Sequence, residues 1–411
     1  MAVFDNLNKS TSAGVAPGIV DYYERKLLEN AKPEMVHARD AQKRPLPENN
    51  GKHVNFRRMI PFEAVTTPLS EGVTPAGQTI RQSAFTAMVK PYGRHVEITD
   101  ELDMYHLDNL HKETADLLSD QAALSLDTIC RDAMCAGLNV QYSGSNTARG
   151  TISATDKLTA ADIKKAVCTL KRNNCKPFAD GFYHAIIHPD AVFDLTSASE
   201  WVDVAKYQDK SKIERYELGC LYKVKFFESS NAKVFTAENY LYGTTASLTI
   251  TAVDTAARTV TVSDTISEDE ARELTGKLVY VEYTKSGAKT VTTMCVERVD
   301  AAAKKVTFRW MPAKAVTDEW TSTNSAKVSP SGGGASGANV YGTLIYGQNA
   351  FGNVELGGTG KNVKIIINPP GSAGASDPLE QRGTIAWKVR GFTCVILQDS
   401  FIVRLEHGAT A

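Results

Sequence analysis

The sequence predicts an α+β chain interrupted by a small all-β module, and three observations carry that reading. One uninterrupted helical pattern, residues 99–137, is long enough to act as a spine. On either side of residues 240–339, helical and apolar strand-like runs read as one unit whose strands are split between distant parts of the chain. Within residues 240–339 themselves, short alternating strands follow one another with hardly any helix.

Residues 1–50 read as an N-terminal arm. The first 18 are small and polar, and IVDYYERKLLENA, residues 19–31, has helical register before Pro33 stops it. Residues 51–98 are predicted to form an extended loop and flanking strands. Val54, Phe56 and Arg58 alternate with His53, Asn55 and Arg57, and Pro68, Gly72, Pro75 and Gly77 forbid helix between Pro61 and Lys90. The result is a long, wide hairpin with no core of its own. A two-stranded ribbon alone in water is marginal, so its turn, with Pro68, Leu69, Glu71, Gly72 and Pro75, is expected to lie against another molecule. The strand beginning at Tyr92 leads straight into the spine.

Residues 99–150 hold the spine, on the order of 55 Å long at ~1.5 Å per residue. Leu107, Leu110, Thr114, Leu117, Gln121, Leu124 and Thr128 recur at steps of three and four, with Leu118, Ala122, Ile129 and Ala133 on the flank. Leu110, Leu117 and Leu124 are therefore expected to pack against the strands of the same domain. Asp100, Glu101 and Asp103 suit the helix start, and Gly137 suits the left-handed position after its end.

Residues 151–239 begin a second unit. Ile163, Val167 and Leu170 share a helical face, and FYHAIIHPDAVFDL reads as a buried strand, a turn and a helix. Residues 340–411 supply its other strands, from KNVKIIIN, TIAWKVRGFTCVIL and FIVRLEH. Residues 240–339 read as an inserted β-domain, with the Gly/Ser-rich exit at 331–338 as a flexible linker.

Little in the composition recommends catalysis. The chain has 411 residues and a net charge of -1, and no run of apolar residues suits a membrane span, so neither a membrane nor a specific nucleic-acid surface is expected as partner. The amino terminus shows no secretory pattern, and the seven cysteines have no metal or redox spacing, which implies reduced core thiols in a cytosolic product. GGTGK at Gly357–Lys361 resembles a phosphate loop, but Asn362 replaces the Ser or Thr and a strand follows where a helix is required. His188-Pro189-Asp190 follows a strand and reads as a turn, with Asp190 as helix cap. His106 and His111 are five apart and share no metal-binding face. No catalytic residue, cofactor or metal is expected.

The order of parts, with six short motifs, resembles the major capsid proteins of tailed bacteriophages with the Hong Kong 97-type fold, and within them the coat family named after coliphage N-four. The motifs are YYERKLL from Tyr22, GKHVNFRR from Gly51, PLSEGVTP from Pro68, YGRHVEITDE from Tyr92, HPD from His188 with Asp194-Leu195, and GQNAFG from Gly347. The resemblance implies a shell protein that forms hexamers and pentamers around double-stranded DNA. Residues 51–98 would be its extended loop and peripheral-domain strands, the spine with those strands its peripheral domain and the split unit its axial domain, with residues 340–411 also returning strands to the peripheral domain. Scaffolding, portal and decoration proteins would be partners, and packaged DNA would be met only by non-specific contact. Two rivals are a cellular nanocompartment shell and a cytosolic nucleotide-binding enzyme using Gly357–Lys361. The insert departs from the plainest family pattern. With eleven Lys and Arg against eleven Asp and Glu it has no basic excess for DNA, so it is expected on the outer surface.

Overall fold

The computed structural model describes residues 36–410 except 48, 50, 70, 72, 73, 75, 76, 106–109, 197–201, 204–216, 237–246, 286, 287, 313, 330, 331, 357–362, 369–371 and 373–380. The expected helix at 19–31, His106 and the loop Gly357–Lys361 lie outside the described residues.

The chain begins with β1 (Gln42–Leu46), β2 (His53–Met59), β3 (Gln82–Met88) and β4 (Lys90–Thr99), then α1 (Asp100–Tyr105) and α2 (Leu110–Cys135). After these come β5 (Val140–Tyr142), α3 (Ala160–Arg172), β6 (Tyr183–Ile187), α4 (Pro189–Thr196), β7 (Val202–Asp203), β8 (Glu217–Leu221), β9 (Val224–Glu228) and β10 (Val234–Phe235). The middle segment holds β11 (Leu248–Asp254), β12 (Thr259–Val262), α5 (Glu268–Leu274), β13 (Leu278–Lys285), β14 (Ala288–Asp300), β15 (Lys305–Phe308), α6 (Lys314–Thr317) and β16 (Lys327–Ser329). The chain ends with β17 (Val340–Tyr346), β18 (Phe351–Leu356), β19 (Val363–Asn368), β20 (Arg382–Ile396) and β21 (Ile402–His407).

Two sheets are built from both ends of the chain. One runs β1-β18-β20-β19, with β4 also on β20; the other runs β5-β21-β17-β6-β9-β8-β7, with β10 also on β17. Of the three late strands expected in the split unit, only β21 joins the second sheet; β19 and β20 belong to the first. The 15-residue β20 explains this, because its first half pairs with β4 and β19 and its second half with β18. On the second sheet, α3 forms where the sequence predicts it. Thr159 and Asp162 make reciprocal capping bonds, and Ile163, Val167 and Leu170 are buried.

The spine packs on the first sheet, but not through its expected face. Leu117 is 70% and Leu124 54% exposed, whereas the flanking Leu118 is 4% exposed. The buried side carries Leu118, Ala122, Leu126, Cys130 and Ala133 against Ile98, Ile385, Trp387 and Phe392. Alanine and cysteine let the helix approach the sheet closely, so small residues rather than the most apolar ones mark the contact. Leu110 opens α2, and its side chain lies outside the described residues. Gly137 does not adopt a left-handed backbone. It makes room instead: a Cβ there would lie 2.8 Å from Asp399 Oδ1, the oxygen that accepts the Leu138 N–H.

Strands β11 to β16 close into a six-stranded barrel in the order β11-β12-β15-β14-β13-β16. Its interior holds Val260, Val281, Met294, Val296, Phe308 and Trp320. Closure removes the open edges that a short sheet would present to other chains. The chain leaves the second sheet at β10 and returns at β17, and these two strands pair with each other.

Where the exit is described, residues 332–335 are packed rather than loose. Gly332 and Gly333 are buried, Gly334 donates its N–H to Ala338, and Ala335 donates to the carbonyl of Ile152. A Cβ on Gly334 would fall 2.2 Å from Ile152 O, and one on Gly332 2.7 Å from the Tyr280 ring. These glycines serve close packing of barrel on body. Arg149 seals the same junction: its guanidinium donates to both oxygens of Glu406 and to Thr293 of the barrel (2.7 Å), and lies 3.7 Å over the Phe235 ring.

Candidate assembly surfaces

β2 and β3 form a ribbon apart from both sheets, in register from His53 opposite Met88 to Met59 opposite Gln82. The Ile60 N–H donates to Arg81 (3.0 Å), which carries the ladder one step further outward. Among the described residues the root is held by the body, where Phe56, Ala87 and Val89 pack with Leu46 and Val354. Beyond it Met59, Ile60, Phe62, Val65, Leu69 and Ile80 are all exposed. Pro68, Leu69 and Glu71 lie in this exposed stretch; Gly72 and Pro75 are outside the described residues. Among the described residues these six large apolar side chains of one projecting ribbon enter no hydrophobic core, which is how an association surface differs from a scattered exposed leucine.

A second apolar surface follows from the corrected helix register. Leu117 and Leu124 stand two turns apart on the outer side of α2, and Leu102 and Met104 of α1 are exposed too. Sequence reasoning selected the right leucines as apolar and assigned them to the wrong side.

Polar groups missed in the sequence hold the start of the described chain. The buried His37 sits against Asp127 in the middle of α2, and Asp40 accepts from His184 (2.8 Å), from Tyr346 (2.9 Å) and from Arg39. His184 is bracketed, because its Nε2 lies 3.1 Å from Asp180, which also pairs with the buried Lys225. Burial alone would raise the Asp40 and Asp127 carboxyls, but His184 and Arg39 on the first, and His37 and Asn231 on the second, hold both below their ordinary value. No sequence spacing announces these contacts, since the partners are on α2, β6, β9 and β17.

Among the described residues no group of His, Cys, Asp and Glu could hold a metal ion. The HPD turn is structural, although His188 rather than Asp190 precedes the helix. The His188 ring accepts the Asp190 N–H, and Asp190 accepts the Tyr341 hydroxyl at 2.7 Å. Burial pushes the Cys135 thiol up to about 11 and the Cys175 thiol up to about 12, so neither is an active nucleophile. No helix among the described residues is long and apolar enough to cross a membrane.

No protein-family profile and no curated protein matches the sequence. Solved structures do match the fold. The capsid of Ralstonia phage GP4 has a TM-score of 0.54 at 10% identity, covering 92% of this chain and 88% of that one. The capsid of cyanophage Pam1 has a TM-score of 0.51 at 10% identity, covering 92% and 91%. At that identity the likeness is one of fold, and this chain has the fold of phage capsid proteins.

Proposed function

We propose that the chain is a major capsid protein of the Hong Kong 97 type, in the coat family named after coliphage N-four, that assembles into hexamers and pentamers and forms an icosahedral head around double-stranded DNA. The projecting ribbon carries this reading. Its tip carries large apolar side chains that are exposed among the described residues, and the fold is that of phage capsid chains. In this reading the ribbon is the extended loop, α2 and the first sheet form the peripheral domain, and the second sheet with α3 and α4 forms the axial domain. The barrel is an inserted domain on the outer surface that stabilises capsomers. Scaffolding, portal and decoration proteins are the remaining partners, DNA is met without sequence specificity, and the protein passes from host cytoplasm to virion. Deleting residues 66–82 tests the proposal. A folded chain that no longer forms capsomers or shells under the electron microscope supports it, and wild-type shells from the deletion overturn it.

A further inference from the structure

Two of the seven cysteines meet across the seam between the spine and the first sheet. Cys130 is on the sheet-facing side of α2, Cys394 is in the second half of β20, and both are fully buried. Asn353 places them. The Cys130 thiol donates to Asn353 Oδ1 (3.6 Å), and Asn353 stands directly opposite Cys394 in the ladder of β18 and β20. Residues paired in this way carry their side chains on one face of the sheet with Cβ atoms ~5 Å apart, so Cys394 is presented to the same turn of α2 as Asn353. The two thiols lie in hydrogen-bonding contact with each other. Ala122 and Ala133 allow the helix to come this close. A cavity of about 780 Å³ opens between the root of the ribbon, the barrel and the second half of β20. Cys394 and Ala133, the latter on the next turn of α2 after Cys130, are in its wall, so a small molecule that enters the cavity arrives beside the pair.

We propose that Cys130 and Cys394 are an oxidative modification site, which closes to a disulfide and staples the spine to β20 once the protein leaves a reducing compartment. The oxidant is hydrogen peroxide. It gives one oxygen to the Cys394 thiol, forming a sulfenic acid and releasing water; the Cys130 sulfur then attacks the Cys394 sulfur, and its proton leaves with the hydroxyl as a second water. The two electrons given up by the thiols reduce the O–O bond of the peroxide. Burial, with the Cys394 contact second, holds the Cys130 thiol well above its ordinary value, so closure is slow. The pair therefore stays reduced while the chain folds in a reducing cytosol and closes over a longer exposure outside it. The bridge spans everything from β5 to β19, the barrel included, and so constrains a large part of the unfolded chain. The passage between compartments rests on the capsid reading; the chemistry of the pair does not.

The experiment treats the full, unaltered chain with dilute hydrogen peroxide, unfolds it, alkylates the remaining thiols with N-ethylmaleimide and maps the peptides by mass. Two fewer alkylated thiols than in the untreated chain are expected, together with one linked peptide that joins Cys130 to Cys394. The oxidised chain should melt roughly 5 °C above the reduced one, and dithiothreitol should reverse the gain. Cys394→Ala should lose both the linked peptide and the gain on oxidation. Seven thiols still alkylated after peroxide, a sulfinic acid at Cys394 with no bridge, or a link from Cys394 to Cys295 would each overturn the site. Cys295 is the rival because Arg309 binds the carbonyls of both residues. Any of these results leaves the capsid reading standing, whereas a chain that forms the bridge but never assembles overturns the capsid reading and leaves the site.

Discussion

The backbone N–H of His37 donates to Asp127 Oδ1 at 2.8 Å while its ring Nδ1 lies 2.7 Å from Oδ2 of the same carboxylate, across 90 residues of sequence. Both residues are buried, and Asn231 donates to Oδ2 at 2.8 Å as well. One carboxylate therefore ties residues 36–41, the spine and the turn after β9 together. Asp127→Ala should cost about 2–4 kcal/mol, because it leaves several buried donors without an acceptor. A lowered urea midpoint and new proteolytic cuts near residues 36–41 would show it; an unchanged midpoint would mean that the tie is not structural.

Acid should weaken the fold in two stages. Burial keeps the His407 imidazole neutral with a pKa of about 4, below its ordinary 6.5, so the unfolded chain takes up that proton first. Stability is then lost as pH falls from about 6.5 toward 4, by at most about 1.4 kcal/mol per pH unit. Asp40, Asp127 and Asp180 act lower down. Their folded-state values lie below the ordinary 3.8, so their contribution is complete above that value and disappears as pH falls through the depressed ones. Urea midpoints measured from pH 7 to 3 should show both stages, and His407→Gln should abolish the upper one alone.

The two sides of the spine should respond oppositely to charge. Leu118→Asp puts an unpaired carboxylate against Trp387 and Phe392 and should cost several kcal/mol, enough to leave the chain insoluble. Leu117→Asp should fold with a melting temperature within a few degrees of the unaltered chain. Any defect it shows should appear in shell formation, read by sedimentation, because among the described residues that leucine is exposed.

Gly334→Ala probes the seat of the barrel. The new Cβ would meet the backbone oxygen of Ile152, which cannot rotate away, so a loss of roughly 1–3 kcal/mol is expected. Gly276→Ala is a useful contrast, since its φ of 88° strains any side chain but nothing lies within 4 Å. If Gly334→Ala were neutral in a thermal melt, the exit from the barrel would be looser than its contacts require.

Much of the architecture was legible because pattern and period are local. The alternation in β11 to β16 and the Thr159–Asp162 box of α3 each announce an element from a few neighbouring residues. The side of the spine was not legible in the same way. A helix with leucine on one face and alanine, serine and cysteine on the next has two candidate cores, and only the closeness of β20 selects the small residues. Composition likewise misled at Gly332–Gly334, where glycine means contact rather than freedom. The ribbon was legible as a ribbon, since Pro68 and its neighbours exclude helix. The cavity at its root was not, because the lining residues come from positions 53 to 400 and converge only in the folded chain.

The return of the chain at β17 also sets an order of events during synthesis. β17 is central to the second sheet, pairing with β6, β21 and β10, yet it emerges only after the whole barrel has been made. Half of the barrel's pairings are hairpins between successive strands and all lie within about 80 residues, so its contacts close early, whereas β6, already beside β9, waits more than 150 residues for β17. Until then the nascent chain leaves one edge of a largely apolar strand, Tyr183-His184-Ala185-Ile186-Ile187, unpaired. The half-made molecule is thus at its most adhesive while it is still attached to the ribosome, and a chaperone acting on this protein should engage it between the release of residue 228 and that of residue 346.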